Sequence, residues 1–131
     1  MKFLLDTHIL LWSLLEPEKL NKNVRDCLND TSNQLWLSPI TTWEIIVLAE
    51  KKRIQLSSTN AENWIKSVYA TIPFKEAFLN HEVAIQSRKM DLPHKDPADR
   101  FIAASAYVYD LTLITSDRKL KNLENIKIFP N

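Results

Sequence analysis

Met1-Lys2-Phe3-Leu4-Leu5-Asp6-Thr7-His8 admits two readings, and the choice between them sets the fold. An apolar run behind a lysine is how a secretory leader begins, but Asp6, Thr7 and His8 interrupt this one before an apolar core of leader length has formed. Lys2 to Leu5 is therefore read as a short buried strand. Asp6 stands at its carboxyl end, and a helix follows from about Thr7 to Leu15, closed by Pro17. A strand feeding straight into a helix opens a β-α unit, and the rest of the chain repeats that alternation.

Asn21 to Leu28 fits a second helix and Gln34 to Leu37 a second strand. Ser38-Pro39 then supplies an N-cap and a first helical residue for a helix reaching Lys52. Asn60 to Tyr69 keeps the helical period through Ala61, Trp64, Ile65 and Val68, and Ile72-Pro73-Phe74 reads as extended, with Pro73 arguing for a strand edge or a turn. Asn80 to Met90 fits another helix with Val83, Ala84 and Ser87 inward. Asp96-Pro97 caps the next, which places Asp99 at its third position. Leu111 to Thr115 has the content of a buried strand and stops at Ser116-Asp117; Arg118 to Leu123 reads as a short helical turn and Ile126 to Phe129 as a last strand. The four tryptophans, Trp12, Trp36, Trp43 and Trp64, fall at positions that read as helix or strand interior and suit core packing better than stacking on a ligand. Such alternation implies an α/β fold with a parallel or mostly parallel sheet and helices on both faces, in a single domain over residues 1–131.

Composition narrows the function classes. A net charge of +1 with no long run of one sign announces neither a nucleic-acid nor a membrane partner. Glycine is absent altogether, which removes the P-loop and the dinucleotide fingerprint, both of which need glycine for close backbone approach to phosphate. A lone cysteine, Cys27, builds neither a disulfide framework nor a thiolate zinc site, and His8, His81 and His94 lack a zinc-ligand spacing. No apolar run approaches the roughly 20 residues that cross a bilayer. The expectation is a soluble, cytoplasmic protein.

The carboxylates carry the chemistry. In open α/β sheets ligands gather beyond the carboxyl ends of the strands, where Asp6 and Asp117 are expected. Glu44, early in a helix, and Asp99, at a helix mouth, are placed to join them. Each acid has an ordinary explanation, since Asp6, Asp96 and Asp117 are all good caps and Glu44 suits a solvent-facing helix position. All four together are a different matter, because crowded carboxylates repel one another unless a cation neutralises them. An oxygen-only ligand set suits Mg²⁺ or Mn²⁺ better than Zn²⁺. A hard cation held in this way activates water and stabilises charge on a phosphodiester, which is nuclease chemistry.

Phe3-Leu4-Leu5-Asp6-Thr7-His8, Ser38-Pro39-Ile40-Thr41-Thr42-Trp43-Glu44-Ile45, His94-Lys95-Asp96-Pro97-Ala98-Asp99-Arg100 and Leu113-Ile114-Thr115-Ser116-Asp117 together resemble the PIN-domain family, and most of all its VapC-type toxins of bacterial toxin–antitoxin pairs. The motifs are short, but their order and spacing span nearly the whole chain. The resemblance implies a three-layer α/β/α sandwich and a Mg²⁺- or Mn²⁺-dependent endoribonuclease with Asp6, Glu44, Asp99 and Asp117 as its catalytic and metal-binding acids. Asp96 is assigned to capping and to support of the site, with direct metal contact left open. Thr7, Thr41 and Ser116 are similar to hydroxyl residues that flank the acids in such sites, local capping being the plainer alternative. A VapB-like antitoxin and pairing as a homodimer are implied as well. Many relatives carry a glycine before Leu111, where this chain has Asp110, so the geometry of that turn is an open question.

Lys95, Arg100 and Arg118 lie beside the acids in sequence and are candidates for contacting RNA phosphates, against a solvated role or, for Arg100, an ion pair with Asp96. A nuclease acting on DNA or structured substrates would use the same acids, and a non-catalytic module binding metal or antitoxin is the rival from another class. A receiver-like domain needs an aspartate ending its central strand, and Trp36-Leu37-Ser38 offers none.

Overall fold

The computed structural model describes residues 1–56, 60–120, 123 and 125–130. Five strands, β1 (Lys2–Leu5), β2 (Gln34–Leu37), β3 (Lys75–Glu76), β4 (Thr112–Ile114) and β5 (Lys127–Phe129), form one sheet in the order β3-β2-β1-β4-β5. Every neighbouring pair is parallel. Parallel neighbours need crossover connections, which α1 (Thr7–Leu15), α2 (Lys22–Asn29), α3 (Pro39–Glu50), α4 (Ala61–Thr71), α5 (His81–Lys89) and α6 (Pro97–Val108) provide.

Successive strand residues point to opposite faces, and two cores result. Phe3, Leu5, Leu37 and Ile114 pack with Ile9, Val24, Ile45, Trp64 and Val68 of α1 to α4. Leu4 and Leu113 pack on the other side with Val83 of α5 and Ile102, Ala103 and Ala106 of α6. The fold is the expected α/β/α sandwich, with the sheet parallel throughout. Small residues at the centre of α6 let its backbone approach the sheet, and Ala103, Ala104, Ser105 and Ala106 are all buried.

The strand order places the site. The chain leaves β1 toward β2 and β3 across one face, then returns across the other to β4 and β5, so the winding reverses between β1 and β4. A crevice opens at such a reversal, beyond the carboxyl ends of the two strands. Asp6 follows β1 directly and Asp117 lies three residues past β4.

Of the two roles open to Ile72-Pro73-Phe74 the turn is the one observed, with Phe74 N donating to Ile72 O at 2.8 Å and pairing with β2 beginning only at Lys75, whereas the expectations at Trp43 and Ala84 are corrected. Pro73 has no N–H for a ladder, whereas exposed Lys75 and Glu76 suit an edge strand. Trp43 is 57% exposed, because α3 turns Thr41 and Ile45 inward. Ala84 faces solvent, the buried stripe of α5 being only Val83 and Ser87. The helical turn expected over Arg118 to Leu123 is seen over Arg118–Leu120; Leu123 is not helical, and Lys121 and Asn122 lie outside the described residues.

The helix ends resolve the question of the missing glycines. Lys52 (φ 56°) and Asp110 (φ 53°) adopt the left-handed conformation after α3 and α6. Each is followed by the paired bonds of a Schellman turn: Arg53 N to Leu48 O at 2.9 Å with Lys52 N to Ala49 O at 3.0 Å, and Leu111 N to Ala106 O at 2.8 Å with Asp110 N to Tyr107 O at 3.3 Å. Asp110 therefore makes the turn that glycine makes elsewhere, at a cost of roughly 1 kcal/mol for a Cβ in this region.

Candidate metal centre

Asp6 caps α1, accepting from His8 N at Oδ1 (2.8 Å). Its other oxygen, Oδ2, accepts from the Thr115 hydroxyl at 2.6 Å, and that hydroxyl in turn accepts from Asp117 N at 3.0 Å. Buried Thr115 thus ties the ends of β1 and β4 together. Ser116, expected to flank the acids, is exposed, and the hydroxyl bonded to Asp6 is that of the residue before it, Thr115.

Glu44 is the sixth residue of α3, and Thr7 Oγ1 donates to its Oε1 at 2.5 Å. Thr41, one turn earlier and fully buried, lies 3.1 Å from the same Thr7 hydroxyl. Thr7 has one proton and the carboxylate is the stronger acceptor, so Thr41 supplies the proton of the second contact. The two threonines expected beside the acids are therefore where the sequence placed them, and they connect α3 to the start of α1.

Asp117 accepts from Lys119 N at Oδ1 (2.9 Å), and its Oδ2 lies 2.5 Å from His94 Nε2. Asp99 is the third residue of α6, half-buried, while Asp96 caps that helix through Ala98 N at 2.9 Å. The charges of these groups reach one another. Burial, then the negative charges of Asp99, Asp96 and Asp6, push the Glu44 carboxyl up, against the opposing bond from Thr7. Burial, then Asp96, also holds Asp99 above the ordinary carboxylate range; Asp6 and Asp117 add to the effect and His94 opposes it. Asp117 goes the other way. Burial works to raise it, but the bonds from His94 and the Lys119 amide, with the charges of both residues, bring it below the ordinary range.

Asp6, Glu44 and Asp117 each lie within electrostatic reach of Asp99 or of one another past the strand ends, with exposed Asp96 also acting on Glu44 and Asp99. Among the described residues no three acidic, histidine or cysteine side chains stand close enough to form a ready-made metal cage. What fits a cation here is the chemistry of the set. The oxygens are all hard donors, no thiolate is present, and two carboxylates are destabilised as anions by burial and then by their neighbours, a state that positive charge relieves.

The basic candidates separate. Lys95 and Arg118 are exposed beside the acids. Arg100 departs from the expected RNA contact and from an ion pair with Asp96. Its Nε donates to Ser87 O (2.8 Å), Nη2 to Met90 O (2.8 Å), and Nη1 to His94 O (3.0 Å) and Leu92 O (3.4 Å), which stitches the loop before α6 to the end of α5.

A sequence model of the PIN domain matches residues 3–126. The chain belongs to the PIN-domain family. Ribonucleases of this family depend on a bound metal. This PIN domain is 30% identical over 122 residues to Ribonuclease VapC22 of Mycobacterium tuberculosis (strain ATCC 25618 / H37Rv), covering 91% of this chain and 89% of that one. It shares its fold with VapBC2 from Rickettsia felis bound to a promoter DNA fragment (TM-score 0.72, 14% identity, 98% and 97% of the two chains). It also shares it with DNA-bound VapBC from Salmonella typhimurium (TM-score 0.68, 24% identity, 98% and 96%). No described helix of this PIN domain is long and apolar enough to cross a membrane.

Proposed function

We propose that this chain, as a single PIN-like domain, is a VapC-type endoribonuclease that cleaves RNA with Mg²⁺ or Mn²⁺ and is neutralised by a VapB-like antitoxin. The observation that carries this reading is that two helix-borne acids, Glu44 and Asp99, lie within electrostatic reach of the strand-end acids Asp6 and Asp117, burial first and then these neighbouring charges raising both carboxyls. The similarity to a protein named as a ribonuclease supports RNA as substrate. The similarity to solved VapBC pairs supports an antitoxin partner.

In this reading Asp6, Glu44, Asp99 and Asp117 would hold the cation. When bound, such a cation lowers the pKa of water and neutralises charge on the phosphodiester, whose 3′-oxygen leaves. The chain's residues set the stage. Thr115 fixes Asp6, and Thr7 and Thr41 fix Glu44, so each carboxylate presents a defined oxygen. Lys95 and Arg118, exposed at the rim, contact the RNA backbone and position the strand without reading its bases. The antitoxin covers the acidic crevice, a cationic side chain taking the place of the metal's charge. A homodimer in the cytoplasm completes the proposal.

The test compares wild type with Asp99→Asn on RNA and on DNA, with Mn²⁺ and with chelator. Metal-dependent cleavage of RNA, lost in the variant, is expected. Undiminished cleavage by Asp99→Asn removes the mechanism, and preferential cutting of DNA replaces the substrate.

A further inference from the structure

Two features of the loop before α6 are left over once the carboxylates have roles. The His94 side chain is only 6% exposed, its Nε2 lies 2.5 Å from Asp117 Oδ2, and its buried Nδ1 has no hydrogen-bond partner among the described residues. Its carbonyl, meanwhile, is held by Arg100, whose guanidinium also binds the carbonyls of Ser87, Met90 and Leu92.

An ionised carboxylate only accepts, so the proton of the short contact sits on His94 Nε2. Nδ1 is then an orphan in either charge state, a bare lone pair in the neutral ring and an unanswered N–H in the cation. A side chain present only to fill space would do better as leucine or phenylalanine, neither of which buries an unsatisfied nitrogen. What histidine supplies at this place, and an apolar residue does not, is the bond to Asp117.

That bond decides an orientation. The carboxylate torsion of an aspartate is broad and two-fold, so nothing intrinsic sets its plane. In Asp117 the plane is set by two donors on different oxygens, the Lys119 amide at Oδ1 and His94 at Oδ2, which leaves the remaining lone pair of each oxygen free.

We propose that His94 is a positioning residue that turns the Asp117 carboxylate toward the acidic centre through Nε2–H, and that Arg100 holds His94 in place by its carbonyl. The proposal rests on the metal-centre reading above. It concerns how that centre is kept in register, since a supporting partner of a metal-binding carboxylate commonly contributes 10- to 100-fold in metal affinity.

The experiment uses three variants, His94→Leu, His94→Gln and His94→Asn. A glutamine amide nitrogen occupies the topological place of Nε2 and an asparagine nitrogen that of Nδ1, so only glutamine restores the donor to Asp117. Calorimetric titration with Mn²⁺ is expected to show affinity lowered roughly 10- to 100-fold in the leucine and asparagine variants and largely regained with glutamine. Cleavage of RNA should follow in kcat, with KM unchanged. Long-range proton–nitrogen NMR of the metal-free wild type should place the ring proton on Nε2. Equal Mn²⁺ affinity in wild type and His94→Leu overturns the proposal, as does equal behaviour of glutamine and asparagine or a proton on Nδ1. Should the leucine variant fail to fold, the two amides and the NMR measurement decide. A wild type that neither binds Mn²⁺ nor cuts RNA overturns the functional reading and this proposal with it; a normal wild type beside an unaffected His94→Leu overturns this proposal alone.

Discussion

Replacing Arg100 should unfasten the loop that carries His94. The guanidinium makes three contacts of 2.8 to 3.0 Å to the carbonyls of Ser87, Met90 and His94 and a longer one to Leu92. At roughly 1 kcal/mol of net stability for each of the shorter bonds, Arg100→Ala should lose about 3 kcal/mol, and Arg100→Lys, whose ammonium reaches fewer of these carbonyls, about 2 kcal/mol. For a chain of this size each kcal/mol lowers the melting temperature by about 3 to 4 °C, so the lysine variant should melt about 6 to 8 °C below wild type. Among the described residues no carboxylate pairs with Arg100, so the loss should be the same at low and high salt. Circular dichroism melts at the two ionic strengths measure both quantities. A lysine variant as stable as wild type refutes the reasoning, and so does a loss that vanishes in high salt, because that pattern belongs to an ion pair.

The acids should respond in opposite directions. Glu44 and Asp99 titrate above their unfolded values, so the stability they contribute is full below the ordinary carboxylate range and is lost as pH rises through their raised values. Asp117 titrates below its unfolded value, so its contribution is present above that range and is lost as pH falls through the lowered one. At neutral pH in chelator, Glu44→Gln and Asp99→Asn should therefore melt no lower than wild type, whereas Asp117→Asn should melt lower; the reverse order refutes the electrostatic assignment. Mn²⁺ at a hundredfold excess over its Kd should stabilise wild type by about 2.7 kcal/mol and leave Asp99→Asn nearly unmoved. Thr115→Val keeps the side chain's shape but strands Asp117 N and releases Asp6 Oδ2, which should cost roughly 1 to 3 kcal/mol in denaturant unfolding, while Thr115→Ser should retain most of it. A valine variant of wild-type stability would sink the idea that this hydroxyl ties the two strand ends.

The parts of the fold legible in the sequence are those whose own residues determine them. β1 and β4 lie between partners and under helices on both faces, so they read as near-continuous apolar runs, and the acids that end them are equally plain. β3 is two polar residues at the sheet edge, made a strand by pairing with β2 rather than by its composition. Trp43 and Trp64 are chemically identical, and only the direction in which each helix meets the sheet makes one a surface residue and the other core. The site divides in the same way. Asp6, Asp99 and Asp117 are marked by strand ends and a helix mouth, but the bond from Thr115 to Asp6 spans 109 residues and that between His94 and Asp117 spans 23. Arg100 shows why adjacency misleads: a cation beside acids suggests phosphate, yet the carbonyls that claim it belong to a loop whose path no local pattern announces.

The central place of β1 bears on the time at which the activity first exists. In the order of synthesis β1 precedes its neighbour β4 by most of the domain, and Asp117 follows later still. A growing polypeptide lacking that last portion holds Asp6 with no Thr115 to orient it and no fourth acid opposite. An assembled site therefore first exists only once β4 has taken its place beside β1 and brought Thr115 and Asp117 with it.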